Sequence, residues 1–236
     1  MSVMPSRVSA HRARLRAQGL RPIQIWVPDV RSPEFAREAH RQSRLVAASP
    51  AAEDDQAFVD EHVTGFEALA TTSSGFAATL GRLDGSVTRE DAVAHAATIV
   101  AATELPVSAD LENGFADDPA GVADTIALAL GAGLAGCSVE DFTGRPDDPI
   151  YETGLAAERV RAAAEAAHRG PVHLVLTARA ENHLHGRPDL ADTIARLQAY
   201  QEAGADVLYA PGLRRLEDIG QLVASVDRDR QVAIPL

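Results

Sequence analysis

Acidic side chains gather at a spacing that suits a divalent cation in the segment SADLENGF, residues 108–115. Asp110 and Glu112 stand two apart where an apolar run ends, and the two-residue period of a strand turns both carboxylates to one side. Like charges that close repel unless a cation joins them. Gly114 lets the chain turn sharply just beyond. Glu140 ends the next apolar run and completes an oxygen-only set. Hard donors with no accompanying cysteine favour Mg2+ or Mn2+ that keeps waters in its shell. The competing reading of each acid is a cap for the helix that follows its strand. Arg179 closes the run LVLTAR. Facing a metal, its guanidinium would grip a carboxylate or phosphonate with two prongs; the alternative is a surface ion pair with Glu181. TTSSG, residues 71–75, adds hydroxyls and backbone N–H groups at an earlier strand end, a seat for an anionic oxygen.

Such residues need a scaffold that brings successive strand ends to one edge. Strands are expected over residues 69–72, 105–111, 135–139, 172–178, 207–210 and 231–234, with helices over 88–103, 118–131, 151–168, 189–203 and 215–226. Thr88 and Asp118 stand as N-caps, the latter with Pro119 in the first helical position, and Gly204 closes a helix. Strands near 30 residues apart with helices between them predict a parallel α/β sheet. The polar pairs Ser73 and Ser74, Asp110 and Glu112, Glu140 and Asp141, and Arg179 and Glu181 fall at carboxyl ends of strands, the face where a (β/α)8 barrel does its chemistry. Six of eight βα units predict an incomplete (β/α)8 TIM-type barrel over residues 62–236, with unpaired parallel edges that favour association.

Composition narrows the function classes. The 236 residues are 46% hydrophobic, enough for a real core. No apolar run is long enough to span a bilayer and residues 1–18 lack a secretory apolar region, so the expected location is cytoplasmic and no membrane partner is expected. A single cysteine, Cys137, excludes a disulfide framework, and inside a strand it reads as core. All 22 basic residues are arginine, which removes Schiff-base lysine chemistry and the lysine-bearing phosphate loop. The net charge of -12 is divided unevenly. Residues 1–52 hold nine arginines against three acids, +6, and the remainder carries -18. The acidic body suits a metal or a metal-bound substrate, whereas the head either favours a polyanion or is a solvated surface.

Residues 1–61 read as a separate strand-helix-helix segment. An Arg-rich helix is expected over 7–18, a strand over 21–28 alternating Ile23, Ile25 and Val27, and helices over 32–48 and 52–61. That order matches a dimeric ribbon-helix-helix DNA binder, with a dimerising or capping segment as the alternative. A third arrangement puts Ile23 to Val27 in the slot of the barrel's first strand.

ALATTSSGFAATLG, LPVSADLENGF, GCSVED, LTARAENHLHGR and YQEAGADVLYAPGL occur in that order. Together, over roughly residues 65–226, they resemble the isocitrate lyase/phosphoenolpyruvate mutase superfamily. The resemblance implies a (β/α)8 barrel that binds Mg2+ and an α-keto acid or its enolate, making or breaking a C–C or P–C bond beside the carbonyl. It also implies a homo-oligomer. By motif, Asp110 is the implied direct metal ligand, Glu112 and Glu140 hold metal-bound waters, and Asp84 of GRLDG is the nearby loop acid. Ser74 and Gly75 are the implied carboxylate-binding pair and Arg179 the substrate clamp. Characterised lyases of the superfamily carry a K-K-C-G-H loop whose cysteine acts as an acid, but the corresponding FTGRPDDPIY, residues 142–151, has neither Lys nor Cys. His183 and His185 in NHLHG read as loop residues rather than a metal pair. Residues 5–61, with RPIQIWVPD as the specific block, resemble MazE-like antitoxins, which implies operator DNA and a toxin as partners. The alternative function is therefore a DNA-binding antitoxin carrying a catalytically inactive barrel.

Overall fold

The computed structural model describes residues 66–226 and 231–233, with isolated positions at Ser32, Pro33, Arg37 and Arg41. The expected head elements over residues 7–18, 21–28 and 52–61 lie outside the described residues, and of 32–48 only those isolated positions are inside. Element order is β1 (Leu69–Ala70), α1 (Ser73–Thr79), α2 (Arg89–Ala102), β2 (Val107–Asp110), α3 (Pro119–Gly131), β3 (Gly136–Glu140), α4 (Thr153–His168), β4 (Val175–Arg179), α5 (Leu190–Glu202), β5 (Val207–Tyr209), α6 (Leu216–Ser225) and β6 (Gln231–Ala233). Each strand pairs in parallel with the one before it, giving the order β1-β2-β3-β4-β5-β6. That is the consecutive order of a (β/α)8 barrel, and the described residues supply six strands of it.

Local chemistry sets the boundaries. Thr88 accepts the N–H of Asp91 to begin α2, and Asp118 accepts the N–H of Gly121 with Pro119 at the first position of α3. Asp189 accepts from Ala191 and Asp192 to begin α5, and Gly204 follows that helix at φ 106°. The strand expected from residue 172 begins only at Val175, and Val172 is exposed. TTSSG is not a loop: Thr72 is an extended N-cap and Ser73 already opens α1. The run of small and hydroxyl residues hid a helix of only seven residues.

Alternation along the strands separates core from site. Ala109, Cys137, Val139, Leu176 and Ala178 are buried toward the helices. They meet Val122 and Ile126 of α3, Val160 and Ala163 of α4 and Leu197 of α5 in one hydrophobic core. The other parity, Ser108, Asp110, Ser138, Glu140, Thr177 and Arg179, is only partly buried and faces the opposite side. Cys137 is fully buried, and burial pushes its thiol up to about 12, as expected of a core residue.

One buried polar network ties the helices to the strand ends. Asp141, just past β3, accepts the Glu181 N–H at 2.7 Å, the Tyr200 hydroxyl at 2.6 Å and Arg196 Nη1 at 3.1 Å. Arg196 also donates to the Tyr151 carbonyl at 2.8 Å. Removing one partner from a buried ion pair strands the other charge, at a cost of about 3–5 kcal/mol. Arg196→Ala is expected to lose about that much stability in urea unfolding, and a loss below about 1 kcal/mol would show that the network does not hold the fold.

Candidate active site

Asp110, Glu140 and Arg179 are the last residues of β2, β3 and β4. Register places Glu140 opposite Arg179 and Asp110 opposite Ser138, so one edge of the sheet collects all three. The Arg179 guanidinium is the centre of that edge. It binds Glu181 through Nε at 2.8 Å and Nη2 at 2.7 Å, and it lies 3.4 Å from Glu140 Oε2 and 3.6 Å from Asp110 Oδ2. Arg179 is thus paired with Glu181, the alternative expected for it, and it also lines the crevice. The pair is not a surface one, since the Glu181 side chain is only 3% exposed.

Asp110 is oriented by its neighbours. Its N–H donates to Thr71 Oγ1 at 3.0 Å, its Oδ2 accepts the Ser73 N–H at 3.2 Å, and its Oδ1 accepts the Glu112 N–H at 3.1 Å. The last of these bonds corrects the sequence argument for Glu112. Strand geometry stops at Asp110, and Glu112 adopts φ 48°, so a two-residue period does not place it. A turn capped by Asp110 and completed by Gly114 at φ 74° does. Glu112 is still brought to the crevice. A left-handed backbone at a non-glycine residue costs about 1–3 kcal/mol, which the surrounding contacts must hold in place.

A cleft of about 340 Å³ above this edge is lined by Asp84, Glu112, Glu140, Arg179 and Glu181, with Phe142 and His185 as an aromatic wall. Phe142 and His185 stack with centroids 3.7 Å apart. Ser74 lines an adjoining cleft together with Ser73, Asp84, Asp110 and Arg179. Gly75 lies inside α1 and is not among the lining residues of either. Asp84 is exposed on the turn between α1 and α2.

The charges do not balance. Burial, with Asp84 and Asp110 nearby, pushes Glu112 up to about 7. Burial first, then the charge of Glu181, pushes Glu140 up to about 8 against the pull of Arg179. Burial also raises Glu181. Three carboxylates share one guanidinium and two more line the clefts beside it, so the crevice is short of positive charge. A divalent cation fits the deficit, and the all-oxygen set suits a hard ion such as Mg2+. Among the described residues, the carboxylates of Asp110, Glu112 and Glu140 do not lie within 4.8 Å of one another as a set.

Two buried arginines escape a reading by spacing alone. Arg159 is 1% exposed; its Nη2 donates to the carbonyls of Asn113 and, at 3.0 Å, Ala116. Its Nη1 reaches the Glu140 carbonyl at 3.5 Å, and its guanidinium lies 3.9 Å over the Tyr151 ring. It thus fastens the turn that carries Glu112 to the end of β3. Arg159 and Arg196 both interrupt apolar helix stripes, beside Ala156, Val160 and Ala163 and beside Thr193, Leu197 and Tyr200, and that interruption was their sequence signal. His183 and His185 lie in the turn after β4, and no metal-sized group among the described residues includes them.

Two family profiles match the chain. The profile of the phosphoenolpyruvate phosphomutase family matches residues 46–236, and that of the MazE-like antitoxins matches residues 5–68. Antitoxin MazE of Mycolicibacterium smegmatis is 67% identical over 60 residues, which are 25% of this chain and 87% of that protein. The 2-methylisocitrate lyase of Escherichia coli K12 is 31% identical over 170 residues, covering 69% of this chain and 56% of the enzyme. The chain thus spans little more than half of that enzyme's length. A Burkholderia cenocepacia J2315 crystal structure, provisionally described as a lyase/mutase, superposes with a TM-score of 0.70 and 44% identity over 95% of this chain and 72% of that one. No helix among the described residues is long and apolar enough to cross a membrane. From strand order, strand-end residues and these matches together, the chain belongs to the phosphoenolpyruvate phosphomutase family of the isocitrate lyase/phosphoenolpyruvate mutase superfamily, joined to a MazE-like antitoxin segment.

Proposed function

We propose that the barrel, residues 62–236, is a Mg2+- or Mn2+-dependent lyase or mutase for a small α-keto acid or phosphonate, acting on the C–C or P–C bond beside the carbonyl. The observation that carries this reading is the crevice in which Asp110, Glu140 and Glu181 surround Arg179 and Asp84 and Glu112 line the adjoining cleft. Asp110 would hold the ion directly, Glu112 and Glu140 through water, and Asp84 would add charge from its loop. The ion would supply Lewis-acid stabilisation of negative charge growing on oxygen beside the reacting bond.

The chain's own groups do the rest. Glu181 grips one edge of Arg179 and presents the guanidinium to the cleft, where a substrate carboxylate or phosphonate would compete for its weaker contacts with Asp110 and Glu140. Ser74, at the start of α1, offers its hydroxyl to the substrate's anionic oxygen. Phe142 and His185 close one wall and exclude water. The segment after β3 is folded back by the Phe142–Ile150 bridge and the Thr143 N–H to Pro149 carbonyl bond at 2.8 Å, and it brings no thiol acid. Cleavage that depends on such a cysteine is therefore not the reaction proposed. Calorimetry is expected to detect one Mg2+ per barrel with affinity reduced at least tenfold in Asp110→Ala; binding unchanged in that variant would remove the enzyme reading.

The raised carboxyls give a pH signature. Folding raises Glu140 to about 8, so its proton is held more tightly in the folded chain. That stabilisation is complete below the unfolded carboxyl range and disappears as pH rises through about 8. Stripped of metal, the protein is expected to melt at progressively lower temperature from about pH 5 to 8, Glu140→Gln is expected to flatten the slope, and Mg2+ to offset it. A melting temperature that rises over this interval in the metal-free protein would contradict the charge assignment.

A second reading applies to residues 1–61 and rests on the 67% identity to MazE. We propose that this segment retains an antitoxin's partners, operator DNA and a toxin. Duplex DNA is expected to bind the full chain at low salt, weaken steeply with added salt, and fail to bind a chain lacking residues 1–61; indifference of the full chain to DNA at low salt would contradict it.

A further inference from the structure

A second group of metal-competent side chains lies at the other end of the sheet. His168 is the last residue of α4, His173 stands in the loop entering β4, and Asp206 immediately precedes β5. His168 Nε2 is 2.9 Å from Asp206 Oδ2 and His173 Nε2 is 3.2 Å from Asp206 Oδ1. One ligand atom from each of the three comes within 4.8 Å of the others. The group is separated from the acidic crevice by the length of β4, about 13 Å at 3.3 Å per residue.

The geometry points to a transition-metal site: we propose that His168, His173 and Asp206 bind a borderline divalent ion such as Zn2+ through two imidazole nitrogens and a carboxylate. Three features support this. Asp206 is fixed from behind, since its Oδ2 accepts the Leu176 N–H at 2.8 Å and its own N–H donates to the Leu176 carbonyl at 2.9 Å. A carboxylate anchored this way keeps a fixed direction toward an ion. The two imidazoles stack face to face, with centroids 4.2 Å apart and planes 7° from parallel. Both rings turn their Nε2 atoms toward the same carboxylate, His168 at 2.9 Å and His173 at 3.2 Å. The mixed nitrogen and oxygen set suits Zn2+, Co2+ or Ni2+, whereas the all-oxygen crevice suits Mg2+.

Parallel rings cannot both point their lone pairs at one ion without adjustment, so one must turn. The His173 side chain is 57% exposed and can do so, while His168, 29% exposed at the helix end, supplies the fixed partner. The bound ion would join the end of α4 to β4 and β5, on the barrel face associated with stability rather than chemistry.

The test uses the full chain, stripped of metal and then saturated with Mg2+ so that the crevice is occupied. Zn2+ is titrated by calorimetry, and melting is followed with and without it. The expected result is a Zn2+ site that Mg2+ does not displace, a raised melting temperature, and a Zn2+ affinity at least tenfold lower in His173→Ala, with Mg2+ binding unchanged. Co2+ provides a second readout, its visible absorption in the wild type being lost in the variant. Absence of Zn2+ binding by the wild type would overturn the proposal. So would equal affinity and equal thermal shift in His173→Ala, because the ion would then reside at other histidines of the chain.

Discussion

The interaction between Arg179 and the carboxylates around it governs the edge of the sheet where β2, β3 and β4 end. Glu181 holds the guanidinium through two nitrogens, while Glu140 approaches it from the adjacent β3 and Asp110 from β2, one strand further on. One cation cannot neutralise all of these acids, and burial denies Glu112, Glu140 and Glu181 full solvation by water. The protein answers with raised carboxyl pKa values at Glu112 and Glu140, which keep protons where charge would otherwise accumulate. The proposed divalent ion would resolve the same conflict in a different way.

Holding unlike elements around such a centre requires fasteners that are themselves buried. Arg159 reaches from α4 to the carbonyls of the turn bearing Glu112 and of Glu140. Asp141 takes the Glu181 N–H on one oxygen and Arg196 and Tyr200 on the other, so α5 and the end of β3 share one carboxylate. These contacts fix main chain rather than substrate. A site built on strand ends and supported in this way keeps its charged groups close together although they would separate in water.

Much of this organisation was legible in the sequence because it rests on local rules. Thr88, Asp118 and Asp189 cap helices as their side chains require, and strand parity set Asp110, Glu140 and Arg179 on one face. Glu112 reached its expected place by an unexpected path, since a turn stabilised by Asp110 replaced the strand geometry assumed for it. α1 was missed because seven residues of small and hydroxyl type carry no periodicity strong enough to read. The partners of Arg159, Arg196 and Asp141 became visible only in three dimensions, since they lie 19 to 59 residues away along the chain. Ser74 and Gly75 both fall in the first turn of the helix that Ser73 begins.

The central claim is that the acidic crevice is completed by one divalent ion on Asp110. Crystals soaked in Mn2+ and measured for anomalous scattering test it directly. The account predicts a single strong peak about 2.1 Å from an Asp110 carboxylate oxygen, with Glu112 and Glu140 one water molecule away. A crevice without a peak, or a peak that leaves Asp110 uncoordinated, would contradict it.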